Sequence, residues 1–91
     1  MPANRYLITE KMNLTITLFG IAREIVGRPS LELTVPAGQS AAGLLAELRT
    51  QYPALAGLRS LAVAVNNEYA TGDVPLHERD EIALIPPVSG G

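Results

Sequence analysis

Several kinds of residue are scarce in this chain of 91 residues, which has no cysteine, no tryptophan and one histidine, His77. Without cysteine the chain forms no disulfide, thiolate nucleophile or cysteine-ligated zinc site. A single histidine also excludes a histidine triad or a multi-histidine metal site within one chain. We therefore predict no bound metal, and we expect His77, next to Glu78, Arg79 and Asp80, in a surface loop.

Excess charge and long apolar runs are also missing. The formal net charge is −2, and the basic residues are scattered singly, so no basic stripe is available for phosphates. No apolar run approaches the roughly 20 residues of a membrane helix, and residues 1–11 lack the pattern of a secretory signal. A phosphate-binding Gly-x-x-x-x-Gly-Lys loop is absent as well. These features predict a cytoplasmic protein that binds no nucleic acid, membrane or cofactor of its own.

Aromatic residues make up only 4% of the chain, whereas 47% is hydrophobic, so aliphatic side chains must form the core. The length is that of one small domain. Regular patterning begins at Met12. We expect residues 1–11 to form a flexible N-terminal extension, residues 12–85 to form the domain and residues 86–91 to form an extended tail.

Alternation of apolar and polar residues predicts strands at residues 14–19 and 31–35, paired antiparallel and joined by a connection with one helical turn. Ser40 is a candidate N-cap for an amphipathic helix that Pro53 ends after Tyr52. The core residues expected from the first strand are Leu14, Ile16 and Leu18.

The second half of the chain predicts an apolar inner strand at residues 61–65, a turn at Asn66 and Asn67, a short segment at 68–70 and a last strand at 81–85. This order predicts an α+β domain whose mixed sheet packs on one main helix. A crossover through the helix favours parallel pairing of the first and last strands.

Two apolar side chains are predicted to face away from the core. Neighbouring residues of a strand point to opposite faces of the sheet. If Leu18 points into the core, Phe19 points outward, and if Leu84 points into the core, Ile85 points outward. Because exposed apolar residues often mark interaction sites, we predict a docking patch near the C-terminus.

The C-terminus is the most distinctive part of the sequence. Two prolines stiffen the segment, and two glycines without Cβ atoms allow another protein's backbone to close around the end. The terminal carboxylate is ionised and a poor electrophile, so a partner enzyme must activate it; sulfide or an amine could then capture the acyl group. The tail consists of Pro86, Pro87, Val88, Ser89, Gly90 and Gly91.

Three segments, residues 18–24, 64–66 and 80–91, resemble the small, sulfur-carrier subunit of molybdopterin synthase. The similarity runs from about Met12 to Gly91, and its most specific part is the Pro-Pro-Val-Ser-Gly-Gly ending. The resemblance implies a ubiquitin-like β-grasp fold, which agrees with the predicted element order. It also implies that the chain is not catalytic alone but supplies sulfur within a two-subunit enzyme.

The resemblance further implies two partners. A ubiquitin-activating-like adenylyltransferase uses ATP and Mg²⁺ to adenylate Gly91, which then becomes a thiocarboxylate. The tail inserts into the large subunit of the synthase through Pro86, Pro87, Val88 and Ser89, with Gly90 and Gly91 as the reacting end. There sulfur passes to cyclic pyranopterin monophosphate during molybdenum cofactor biosynthesis. The expected assembly is a heterotetramer of two small and two large subunits.

Phe19, Tyr69 and Ile85 stand where that family has apolar contacts to its large subunit. The chain departs from the family pattern at Arg79, where glycine is common, and at Leu84 and Ile85, where an aromatic residue is frequent. Three alternatives remain open: a sulfur carrier of a thiamine-type pathway, a ubiquitin-like protein modifier, and an interaction module whose tail is inert.

Overall fold

The computed structural model describes residues 10–58 and 60–86. Of the predicted tail, Pro87, Val88, Ser89, Gly90 and Gly91 lie outside the described residues, as do residues 1–9 of the predicted extension. The elements in chain order are β1 (Lys11–Leu18), α1 (Gly20–Val26), β2 (Ser30–Pro36), α2 (Ala41–Gln51), α3 (Pro53–Ala56), β3 (Ala62–Val65), β4 (Glu68–Tyr69) and β5 (Ile82–Ile85).

The five strands form one mixed sheet in the order β2-β1-β5-β3-β4. β1 pairs antiparallel with β2 and parallel with β5, while β3 pairs antiparallel with both β5 and β4. The predicted parallel pairing of the first and last strands is therefore confirmed. The mixed sheet packed on a main helix also confirms the expected β-grasp fold.

β1 alternates buried and exposed residues along its whole length, and Leu14, Ile16 and Leu18 are buried as predicted. The strand begins at Lys11, which pairs with Pro36. It therefore starts inside the segment that the sequence assigned to the extension. Pairing with β2 explains the difference, because the ladder continues past the residues whose alternation is strongest.

The connection between β1 and β2 contains a full helix, α1, instead of the single predicted turn. Phe19 is not part of the strand: its extended backbone forms the N-cap of α1, and its carbonyl accepts hydrogen bonds from the N–H groups of Ala22 (3.1 Å) and Arg23 (3.3 Å). Gly27, with φ 89°, ends the helix. Burial of Ala22 fixes α1 against the core.

α2 follows the sequence prediction closely. The Ser40 hydroxyl accepts a hydrogen bond from the Gly43 N–H at 3.1 Å, and Leu44 and Leu48 are fully buried. α2 ends at Gln51, before Pro53. Pro53 also opens the short helix α3, which the sequence analysis did not predict, since proline is well tolerated in the first turn of a helix.

The long connection between β4 and β5 packs against the start of α2. Leu76 is fully buried, and its N–H donates to the Gln39 carbonyl at 2.8 Å. The Ala41 N–H donates to the Val74 carbonyl at 2.9 Å. These bonds hold the connection against the start of α2. The chain then returns to the centre of the sheet as β5. Within residues 10–58 and 60–86, no helix has the length and apolarity needed to cross a membrane.

Candidate functional site

The face of the sheet opposite the helices carries a row of mostly small residues. The register places Thr17 opposite Ala83, Ala83 opposite Ala64, and Ala64 opposite Tyr69. Leu18 and Leu84, the next residues along their strands, point into the helix-covered core. The row thus lies on the outer face, and its threonine and alanines form a shallow floor.

The docking residues predicted from sequence surround this floor. Phe19 and Tyr69 expose 49% and 73% of their surface, and Ile85 is half-buried. All three line one groove of about 590 Å³. The structure therefore brings together residues from the beginning, middle and end of the domain, and we call the surface that they line the docking groove. Its lining residues are Thr15, Thr17, Phe19, Ala64, Asn67, Tyr69, Asp80, Glu81, Ile82, Ala83 and Ile85.

The docking groove is apolar at one end and acidic at the other. Phe19 and Ile85 lie at the end where β5 finishes and the chain continues toward its C-terminus. Asp80 and Glu81 lie where β5 starts. Exposed apolar residues beside the end of β5 form a surface of the kind that partner proteins contact.

The turn between β3 and β4 is fastened to the start of β5 by Asn66. Both Asn66 (φ 54°) and Asn67 (φ 72°) are left-handed, a conformation that asparagine tolerates better than most residues. The Asn66 N–H donates to the Glu81 carbonyl at 2.7 Å, and the Glu81 N–H donates to Asn66 Oδ1 at 2.9 Å. Asn66 Nδ2 donates to Asp80 Oδ1 at 3.0 Å.

Asp80 links this network to the preceding turn. Its second carboxylate oxygen, Oδ2, accepts a hydrogen bond from the His77 N–H at 2.9 Å, and its own N–H donates to the His77 carbonyl at 3.0 Å. Arg79 has no positive φ. The turn therefore closes without the glycine that the family pattern favours at this position. His77 is exposed, as predicted for a surface loop.

Pro86, which the sequence places first in the tail predicted to insert into a partner, is buried against the domain. A Cβ built on Gly20, whose φ is 55°, would lie 3.1 Å from Pro86 Cγ. Pro86 therefore forms the fixed stem of the tail, because β5 leads it directly onto the start of α1.

Two features of this region were not predicted from the sequence. Ile21 exposes 43% of its surface on α1, two residues after Phe19, but it does not line the docking groove. Asn66 was predicted only as a turn residue, within residues 64–66 of the family resemblance. The signal available in the sequence was the pair of adjacent asparagines, which marks a left-handed turn but not its hydrogen-bond partners.

A family model described as the ThiS family matches residues 16–91. The chain is 42% identical over 84 residues to a molybdopterin synthase sulfur carrier subunit from Arabidopsis thaliana, covering 91% of this chain and 88% of that protein. It is also similar to the small archaeal modifier protein 1 from Methanosarcina acetivorans, with 29% identity, a TM-score of 0.69, and coverage of 90% of this chain and 99% of that one.

A second similar structure is a complex of subunits 1 and 2 of the molybdopterin-converting factor from Helicobacter pylori. The matched chain is 27% identical, with a TM-score of 0.58, and the match covers 88% of this chain and 100% of that one.

Proposed function

Since the chain belongs to the ThiS family and, within it, to the molybdopterin synthase sulfur carrier subunits of molybdenum cofactor biosynthesis, we propose that it carries sulfur as a thiocarboxylate on Gly91. The observation that best supports this proposal is the position of the docking groove. Phe19 and Ile85 line it at the end of β5, and Pro86 continues from that point toward the glycine pair. A partner bound in the groove would therefore receive the tail.

The proposed chemistry takes place entirely at the terminal carboxyl group. A carboxylate oxygen of Gly91 attacks the α-phosphorus of ATP, which forms an acyl-adenylate and releases pyrophosphate. A sulfur nucleophile at the oxidation level of sulfide then attacks the acyl carbon and displaces AMP. The activating partner is an adenylyltransferase, and the sequence of this chain offers no phosphate loop of its own for ATP.

Delivery of the sulfur requires a second partner, for which we propose the large subunit of molybdopterin synthase. Similarity to one chain of the Helicobacter pylori complex of subunits 1 and 2 supports a partner of this kind. The large subunit provides the catalytic side chains, and the sulfur passes to cyclic pyranopterin monophosphate. The thiocarboxylate sulfur attacks a carbon of this precursor and displaces an oxygen substituent from it; water then cleaves the bond between the Gly91 acyl carbon and the sulfur, which leaves the sulfur on the pterin and restores the Gly91 carboxylate.

The fixed stem at Pro86 limits how far the sulfur can travel. Five residues follow it, from Pro87 to Gly91. A fully extended chain covers at most about 3.3–3.6 Å per residue, so the tip reaches no more than about 18 Å beyond the stem. The reacting centre of each partner must therefore lie within that distance of Pro86 when the docking groove is occupied.

A ubiquitin-like modifier is the second candidate function, and similarity to the small archaeal modifier protein supports it. The activation step is the same, but the acyl group is captured by an amine instead of sulfide. The product is then an amide-linked conjugate, and no thiocarboxylate accumulates.

Reconstitution with purified partners tests the proposal. The chain is treated with the adenylyltransferase, ATP, Mg²⁺ and a sulfide donor, and its intact mass is measured before the large subunit and the pyranopterin precursor are added. We expect the mass change of oxygen replaced by sulfur, followed by formation of molybdopterin. If the thiocarboxylated protein supports only thiazole synthesis, the chain belongs to the thiamine-type pathway. If heavier conjugates form and no thiocarboxylate is detected, the modifier function is favoured.

A further inference from the structure

We propose that Asn66 is a positioning residue for the large subunit: by clamping the β3–β4 turn to the start of β5, it sets the shape of the docking groove. This inference rests on the proposed function. It concerns a residue outside the apolar docking set of Phe19, Tyr69 and Ile85, and it assigns a role to the hydrogen bonds at the acidic end of the groove.

The orientation of Tyr69 depends on such hydrogen bonds because its own side chain makes few packing contacts. β4 contains only Glu68 and Tyr69, which pair with Val65 and Ala64 at the edge of the sheet. With 73% of its surface exposed, Tyr69 gains little from packing. The direction of its ring therefore depends on the direction of the hairpin, and short edge hairpins are weakly determined by their own backbone bonds.

Asn66 fixes that direction through three hydrogen bonds with Asp80 and Glu81. Both of these partner residues line the groove, and Glu81 is followed at once by β5, which leads to Ile85. The bonds join the β3–β4 turn, which leads into the strand of Tyr69, to the residues just before β5, the strand of Ile85. They thereby hold the two apolar walls of the groove at a fixed separation.

Asparagine meets three requirements at this position. It tolerates the left-handed backbone, its Oδ1 accepts a bond from the Glu81 N–H, and its Nδ2 donates to Asp80. Aspartate meets the first two but would put a carboxylate against the Asp80 carboxylate. Glycine meets only the first, since it has no side chain.

Exchanging the two side chains provides a sharp test. In N66D, two carboxylates face each other. In D80N, the single amide oxygen can accept from either Asn66 Nδ2 or the His77 N–H, and the new NH2 group then faces the other donor. In the double variant N66D/D80N, the amide introduced at position 80 can donate to the carboxylate introduced at position 66, while its oxygen accepts from the His77 N–H. The network is then restored with reversed polarity and unchanged net charge. The dissociation constant for the large subunit is measured by calorimetry, alongside thermal unfolding of each free variant.

We expect each single variant to raise the dissociation constant at least tenfold and the double variant to return it to within about threefold of wild type. A purely structural role would lower the melting temperature and leave the affinity of the folded protein unaltered. Asn13→Ala is the matched control, since it removes another side-chain hydrogen bond on the sheet, from the Thr34 hydroxyl at 2.7 Å.

Unchanged affinity in folded N66D, or a double variant that binds no better than the single ones, would overturn the inference. If N66D is unfolded at the assay temperature, the dissociation constant is measured for N66G instead, because glycine keeps the left-handed turn and removes only the side-chain bonds. A wild-type dissociation constant in N66G would show that the Asn66 side chain does not have this role. Failure of the wild-type chain to bind the large subunit would instead contradict the proposed function itself.

Discussion

Gly20 and Pro86 are in such close contact that any side chain at Gly20 would press on the proline: an added Cβ would lie 3.1 Å from Pro86 Cγ. Gly20 follows Phe19, the N-cap of α1, and has a positive φ of 55°. One glycine thus allows the chain to turn from β1 into α1 and leaves room for the stem of the tail. This contact connects the fold to the proposed chemistry, because it determines where the tail leaves the domain.

Gly20→Val should therefore displace the stem and slow sulfur transfer. The substitution strains a left-handed backbone and crowds Pro86, so we expect a loss of about 2–3 kcal/mol in unfolding free energy and a reduced maximum transfer rate. Gly38→Val is the matched control, since Gly38 also has a positive φ (85°) but no atom within 4 Å of an added Cβ. Denaturant unfolding and single-turnover transfer are measured for both. Equal transfer rates in the two variants would contradict a role for the Gly20–Pro86 contact.

Phe19→Asp should weaken binding of the large subunit without damaging the fold. The charge would enter an apolar contact, and we expect the dissociation constant to rise at least tenfold. Phe19 is the N-cap of α1 and makes no side-chain cap bond, so aspartate suits the position and should preserve the helix. Ile21→Asp changes an exposed apolar residue outside the docking groove and should affect binding much less. Equal effects of the two substitutions in a binding titration would remove Phe19 from the interface.

Addition of one alanine after Gly91 should abolish sulfur transfer and leave thermal stability nearly unchanged. The extension moves the carboxyl group beyond the two glycines, whereas the folded core, including the Pro86 stem, is not altered. Mass spectrometry after incubation with the activating enzyme measures thiocarboxylate, and calorimetry measures the melting temperature. Full transfer by the extended chain would exclude a mechanism that depends on the tip.

Ser40→Ala should lower stability and leave partner binding unaffected. The substitution removes the hydroxyl that accepts from the Gly43 N–H at the start of α2, and loss of such a cap costs about 1 kcal/mol. α2 lies on the face of the sheet opposite the docking groove, so the dissociation constant for the large subunit should not change. Denaturant titration checks the first expectation and a binding titration the second. Thr50→Ala, which alters an exposed hydroxyl within α2, should cost less.

Most of the fold could be predicted from local patterns. The alternation in β1 and β2, the cap at Ser40 and the leucines of α2 each occur within a few neighbouring residues, and each predicted the observed element. The exceptions were α1, which was predicted as a single turn, and α3, which was not predicted. Both are short helices fixed by buried residues, Ala22 in α1 and Leu55 in α3, and such short helices have weak periodic signals of their own.

The candidate site was predictable only in part. Ile85 could be predicted to face outward because alternation determines which side of a strand each residue occupies. Phe19 is exposed as predicted, but it lies just after β1 as the N-cap of α1, so strand alternation does not explain its exposure. Asn66 could not be assigned its role, because its bonds reach Asp80 and Glu81, which lie 14 and 15 residues away. Pro86 could not be placed correctly either. A proline in a sequence predicts a stiff backbone. Whether Pro86 packs against Gly20 depends on the position of the end of β5 in the folded domain.

The sequence by itself determined the alternation of core and surface, the capped helix, the small aliphatic core and the Gly-Gly terminus with its family resemblance. These properties depend on residue type and on spacing within a few positions. Only the tertiary structure decided that Phe19, Tyr69 and Ile85 line one groove, that Asn66 bonds to Asp80 and Glu81 at its acidic end, and that Pro86 packs against Gly20. Such relationships depend on the register of five paired strands, which brings together segments that are distant in the chain.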